Sequence, residues 1–412
     1  VTGRGMEQGR CVEQGQNVQQ DRSTRQDRNT RQDRDEKQGR NAERDRNAER
    51  DRDEKRDRDE EQGRNAERDA TAGAAGSLWP LGAATGVGSL PGTDAAEAQK
   101  LVFDELPDLP HLPELPERGP GAGLLGRSGA ILLELPVDLQ PAGWRLVPRV
   151  GMDLRRARDL LVRDLDALVE TAAGYTGPFK IAVAGPWTLA AQLELPRGHK
   201  ALSDVGATRE IAESLAAGLG EHLKEVASRV PGAKLIVQLD EPSLPAVLAG
   251  RVRTPSGFSV LRAVEDGLAA TRLRAVAEAA RASGAVGVGV HCCAPSVPFA
   301  TLQSAGADFI GVDAALLTWA EDDLIGEYVD AGGRLIAGIV STAAATAELS
   351  DVRRSVESVI ALWNRLGFRP EQLGEVVAVA PACGLVGFGA ETARAVLRHC
   401  RQAGRVLVDA PA

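Results

Sequence analysis

The chain reads as an α/β protein, a (β/α)8 barrel over residues 74–412 behind a disordered charged tail over residues 1–73. Three observations predict this. From about residue 81, short apolar or β-branched runs alternate with longer Ala-, Leu-, Arg- and Glu-rich stretches of helical period. The short runs number eight, the strand count of a closed barrel. Polar and metal-capable side chains stand just past these runs, where the C-terminal mouth of a barrel gathers its chemistry. A doubly wound open sheet is the alternative packing of the same elements.

The tail is a different material. From Arg22 to Asp69 the sequence repeats every six residues, with units such as RNTRQD and RNAERD, and holds no Leu, Ile, Val or aromatic residue. Such a stretch cannot bury enough apolar surface to offset the entropy of ordering it. A period of six matches neither a heptad nor a 3.6-residue stripe, so no coiled coil is expected.

Strands are expected at residues 82–88, 130–135, 179–184, 234–240, 286–291, 308–312, 334–340 and 376–380. Helical patterns fall between them at residues 154–173, 207–229, 260–283, 320–331, 349–366 and 390–403. The segment LPDLPHLPELPERG, residues 106–119, has a proline at nearly every third position; it is expected as a long loop near the first strand, lying across the barrel mouth.

Composition narrows the function. A formal charge of −9 argues against a nucleic-acid binder. No apolar run approaches the length of a membrane span, and the N-terminal residues show no secretory h-region, so the cytoplasm is the expected compartment. The five cysteines are an odd number, which fits metal binding or catalysis better than a disulfide framework. Cys11 lies in the tail, and Cys400 falls within a helical pattern as a small apolar filler.

The chemistry points to one place. Val286-Gly-Val-Gly-Val-His291-Cys-Cys293 reads as a buried strand running into metal ligands. Two other apolar runs end in Asp313 and in Cys383. An imidazole, two thiolates and a carboxylate would complete a tetrahedral zinc shell. Side chains alternate along a strand, so His291 and Cys293 share a face while Cys292 points into the wall. Singly, each residue has a structural reading: a core histidine, a buried cysteine, an aspartate capping a helix. Their joint occurrence at strand ends favours the metal centre. Thr188 and the pair Asp240-Glu241 end two further strands, and the paired carboxylates suit capture of an ammonium group.

These residues carry a resemblance. The stretches G-S-L-P from Gly88, G-P-W-T from Gly185, Q-L-D-E-P from Gln238, His291-x-Cys293, A-D-F-I-G-V-D from Ala307 and C-G-L from Cys383 resemble the zinc-bearing half of cobalamin-independent methionine synthase, in order and in spacing, over about residues 80–410. The resemblance implies a TIM barrel of the uroporphyrinogen decarboxylase/methionine synthase type, here in single-barrel form. It implies Zn2+ held by His291, Cys293, Asp313 and Cys383. Substrate binding would fall to Ser89, Asp240, Glu241 and Thr188, with Ser89 and Asp240 matching the residues that hold the amino-acid carboxylate and ammonium. The implied reaction is methylation of the homocysteine thiol to give methionine. The methyl donor would be methyltetrahydrofolate, or methylcobalamin on a corrinoid protein. Three departures stand out. Asp313 replaces the family's usual Glu; Ser341-Thr-Ala343 stands where the family has D-I-H, so no catalytic proton donor is assigned; and Val386-Gly387 follows C-G-L where the family carries basic residues. A metal-free decarboxylase on the same barrel and a non-catalytic zinc- or thiol-binding barrel are the other expectations.

Zinc suits a thiol substrate on physical grounds. A free thiol, with pKa near 8.5, is mostly protonated at pH 7. Coordination removes its proton and fixes the sulfur.

Overall fold

The computed structural model describes residues 77–343, 349 and 351–409. They belong to the second of two units, Ser77–Ala412, and the charged repeat expected to form a tail lies outside the described residues.

In chain order the elements are α1 (Ala95–Glu105), α2 (Leu124–Ile131), β1 (Val137–Gln140), β2 (Gly143–Leu146), α3 (Met152–Thr171), β3 (Pro178–Ala184), α4 (Pro186–Gln192), α5 (Val205–Arg229), β4 (Lys234–Asp240), α6 (Leu244–Leu248), α7 (Asp266–Ala282), β5 (Gly287–Cys292), α8 (Phe299–Ser304), β6 (Phe309–Asp313), α9 (Asp322–Asp330), β7 (Arg334–Val340), α10 (Val352–Leu366), α11 (Pro370–Val376), β8 (Val377–Pro381) and α12 (Ala390–Val408). Strands β3 to β8 form one parallel sheet in sequence order, each paired with the next. Their residues are almost all buried, which explains the continuous apolar runs that replace alternation in the sequence.

Two irregular segments close the ring. On the β8 side, Val379 N–H donates to Ala83 O at 3.0 Å and Thr85 N–H to Val379 O at 2.9 Å. On the β3 side, Leu112 N–H donates to Lys180 O and Lys180 N–H to Pro110 O, both at 2.9 Å. Between them Leu90 N–H donates to Glu114 O and Glu114 N–H to Gly88 O. The chain is therefore a (β/α)8 barrel, with residues 82–90 and 110–114 in the first two strand positions.

This corrects two expectations. Residues 130–135 are not a strand: they hold the end of α2 and an irregular turn in which Glu134 has φ of 59°. Their short apolar run is buried packing, which periodicity cannot tell from a strand. The proline-rich segment, expected as a loop over the mouth, is instead the second barrel strand. Pro110 and Pro113 lack N–H groups, and the donors of Leu112 and Glu114 each serve a different neighbour. The segment thus pairs with both neighbours without the regular ladder by which strands are recognised. The hairpin β1–β2, closed by a turn with Gly143 at φ of 132°, was not anticipated.

The six expected helices are present within a few residues, except that α7 begins at Asp266, six residues later than the pattern suggests, and α12 runs on to Val408, five residues further; the shorter helices and α1 were not expected. The preceding stretch folds back on itself, with Leu261 N–H donating to Val252 O. The apolar stripe of α12, Ala393, Val396, Leu397, Cys400, Ala403 and Leu407, is buried, which places Cys400 as filler. Helix α1 is tied to α12 by Glu105, which receives Arg394 at 3.1 Å and Arg398 at 2.9 Å. Among the described residues no helix is long and apolar enough to cross a membrane.

Candidate metal centre

His291 is the penultimate residue of β5, Cys293 follows that strand, and Cys383 stands two residues past β8. Their ligand atoms lie within 4.8 Å of one another. Cys292 is fully buried, whereas Cys293 and Cys383 are half-buried, as strand alternation requires. The Cys293 thiol donates to Cys383 Sγ at 3.4 Å. That bond, with His291 adding to it, draws Cys383 down to about 4, while the same bond and burial push Cys293 well up.

These residues fit a metal ion. Zinc–sulfur bonds of about 2.3 Å in tetrahedral geometry set two sulfurs about 3.8 Å apart, a small adjustment from the 3.4 Å between Cys293 and Cys383. His291 Nε2 is buried with no hydrogen-bond partner among the described residues, an orphan that coordination would satisfy. Two glycines make room. His291 pairs in register with Gly311, where a Cβ would come within 3.0 Å of the imidazole Nδ1. A Cβ on Gly384 would collide with the Ser89 hydroxyl.

Of the other residues singled out in the sequence, Ser89 lies against this cluster, its carbonyl accepting from Leu385 N–H at 2.7 Å. Asp240 ends β4 in register with His291 and is buried. Burial first, then Glu114 two strand positions away, hold its carboxyl well above the usual range. Asp313 ends β6, and extending the pairing of Cys292 with Val312 by one residue sets it beside Cys293. Its carboxylate accepts from Ala315 N–H at 3.0 Å, capping a short 3-10 turn, and it is not part of the three-residue cluster. Thr188 and Glu241 meet each other. Glu241 accepts from Trp187 N–H at 2.9 Å, Thr188 N–H at 2.7 Å and Thr188 Oγ1 at 2.8 Å, at the N-terminus of α4. Burial nevertheless raises Glu241 to about 7.

The family model described as the cobalamin-independent synthase catalytic domain matches residues 82–405. The chain belongs to that family. Among solved structures, a B12-independent methionine synthase from Shewanella sp. W3-18-1 in complex with selenomethionine superposes with TM-score 0.52 at 14% identity, over 80% of this chain and 98% of that one. A β-glucosidase mutant derived from a hyperthermophilic tetrameric structure reaches TM-score 0.40 at 13% identity, over 80% of this chain and 96% of its own. No curated protein matches. The first likeness, at that identity, concerns the barrel fold.

Two residues outside the quoted motifs, Lys180 and Glu114, join Gln238 of the Q-L-D-E-P motif around Asp240. Lys180 is fully buried in β3, and its Nζ donates to Gln238 Oε1 at 2.6 Å and to Val87 O at 3.0 Å. Gln238 Nε2 donates to Asp240 Oδ1 at 2.7 Å and to Val87 O at 3.0 Å. Glu114, bridged to Ser89, is buried; its Oε1 accepts no hydrogen bond among the described residues and lies 3.9 Å from Arg127 Nε. Burial raises its carboxyl, and Arg127 opposes that rise. A lysine inside an apolar strand was the available signal for the first. Glu114 lies in the proline-rich segment, whose sequence carries no strand pattern.

Proposed function

We propose that this chain is a zinc-dependent methyltransferase that activates the thiol of homocysteine and yields methionine. The observation that carries the reading is the His291–Cys293–Cys383 cluster at the strand ends, with buried carboxylates gathered beside it. Two thiolates and an imidazole are a donor set that zinc accepts in tetrahedral geometry. Asp313, next along the register, is the candidate fourth ligand once it leaves its cap on Ala315. A bound zinc ion would deprotonate a coordinated thiol at neutral pH.

The remaining work falls to the protein. Burial and the nearby Glu114 raise the cost of ionising Asp240, so a cationic ammonium beside it is favoured. The Ser89 hydroxyl is the donor for the amino-acid carboxylate. Thr188 and Glu241 fasten the start of α4 to the end of β4 and so hold the backbone that carries Asp240. In the transfer, the thiolate sulfur forms the S–CH3 bond while the donor keeps the electron pair of the bond it loses. The donor is a methyltetrahydrofolate or a methylcobalamin carried by a corrinoid protein, and the reaction takes place in the cytoplasm.

The test is a donor screen with the zinc-loaded protein and homocysteine, offering methylcobalamin and methyltetrahydrofolates separately and measuring methionine. Methionine from one donor and not from metal-stripped protein is the expected result. Protein that purifies without zinc and cannot take it up would favour the metal-free decarboxylase. Protein that binds zinc yet forms no methionine with any donor would favour a non-catalytic thiol-binding barrel.

A further inference from the structure

We propose that Lys180 is a positioning residue for amino-acid recognition: acting through Gln238, it fixes the Asp240 carboxylate toward the substrate's ammonium group. This rests on the reading of Asp240 given above and adds the device that orients it.

The three residues lie on one face of adjacent strands. Lys180 stands four residues before Ala184, and the register pairs Ala182 with Gln238 and Ala184 with Asp240. The argument turns on the two ends of the Gln238 amide. A glutamine amide has an acceptor end and a donor end of nearly equal size, so an unconstrained one can present either. A lysine ammonium only donates. With Lys180 Nζ at 2.6 Å, the oxygen of Gln238 must face Lys180. The NH2 end is thereby committed to Asp240 Oδ1 at 2.7 Å. The Val87 carbonyl accepts from both Lys180 and Gln238 at 3.0 Å and locks the triangle. One carboxylate oxygen of Asp240 is thus held, and the other is left for the substrate.

A fully buried lysine is an expensive way to fill space, since an apolar residue of similar volume would serve packing as well or better. Its charge also stands among Glu114 and Asp240, both of which act on it. Lys180 therefore offsets one of two buried negative charges before any ligand arrives.

The experiment compares two ligands of the zinc-loaded protein by calorimetric titration: L-methionine, and its desamino analogue 4-(methylthio)butanoate, which keeps the thioether and the carboxylate. The unsubstituted chain is expected to prefer methionine. Lys180→Met should reduce that preference about ten- to a hundredfold and leave affinity for the analogue unchanged, the scale of one charge-assisted hydrogen bond. Gln238→Leu should do the same, and the double variant should lose no more than either alone. A purely structural role would weaken both ligands alike. Should Lys180→Met fail to fold, Gln238→Leu decides the matter by the same comparison. Full preference retained in either folded variant overturns the positioning role alone. No preference for methionine in the unsubstituted chain overturns the ammonium reading of Asp240, and this inference with it.

Discussion

Cys293 and Cys383, ninety residues apart in sequence, bring their sulfurs to 3.4 Å across the mouth of the barrel. Neither reaches the other through local structure. β5 delivers one and β8 the other, so the pair exists only when the ring closes. Cys292, adjacent to Cys293, points into the wall, where burial raises its thiol to about 12.

That contrast gives a first prediction. Cys293→Ser should abolish stoichiometric zinc binding, whereas Cys292→Ser should retain most of it, as read by metal analysis after dialysis. Equal loss in both variants would refute the division between ligand and wall.

Much of this arrangement was legible in the sequence. The runs containing β3 to β8 were apolar, short and bounded by helical patterns, and His291-x-Cys293 placed its imidazole and thiol on one face by alternation alone. The first two barrel strands were not legible for a physical reason. They pair through scattered bridges, and prolines suppress the hydrophobic run and the ladder that would have marked the second. Glu114 was lost with that strand. The roles of Thr188 and Glu241 were also opaque, because a carboxylate that caps a helix from a neighbouring strand leaves no sequence spacing to read.

Gly384 should be intolerant of any side chain. An added methyl would displace the Ser89 hydroxyl and, with it, the backbone that carries Cys383. Gly384→Ala is expected to weaken homocysteine binding at least about tenfold while the far-ultraviolet circular dichroism stays unchanged, since one lost or misplaced hydrogen bond to a charged group is worth that much. Unaltered binding would show that the loop accommodates the methyl.

His222, buried in α5, should make the barrel acid-sensitive. Burial first, then Arg127 and Arg229, hold its pKa at about 3, below the ordinary 6.5. The folded state therefore binds fewer protons than the unfolded state between these values. Its contribution is fully present above pH 6.5 and declines as pH falls toward 3, by at most about 1.4 kcal/mol per pH unit. Urea unfolding at pH 7.5 and pH 5 should show this loss, and His222→Leu should remove part of it. An identical pH slope in both proteins would exclude His222 as the source.

The sequence of residues 1–73 is too poor in apolar residues to build a core, so we expect the barrel to fold without it. A chain beginning at residue 74 is expected to keep its melting temperature within a few degrees and its full zinc content. Insoluble or zinc-free protein would show that the repeat is needed for folding.

Asp313 and Asp240 present the sharpest test, since both are carboxylates ending adjacent regions of one sheet. Asp240 sits in register with His291, clamped by Gln238 and facing Glu114, a setting suited to an ammonium group. Asp313 sits one strand to the other side, beside Cys293, with its carboxylate turned to Ala315. Zinc–oxygen bonds are about 2.0–2.2 Å long, so Asp313 must release its cap to coordinate, and its side chain is one methylene shorter than Glu. That cap is worth about 1 kcal/mol, small against a coordinate bond. Asp313→Ala should therefore lose zinc faster to a chelator, and Asp313→Glu should retain it at least as well as the unsubstituted chain. Asp240→Ala should keep its zinc and raise the KM for homocysteine about tenfold or more, as removal of a charged partner for an ammonium requires. Metal analysis of the three variants under the same chelator decides the assignment. Full retention in Asp313→Ala would leave the centre with only three protein ligands, and loss in Asp240→Ala would move the metal toward β4.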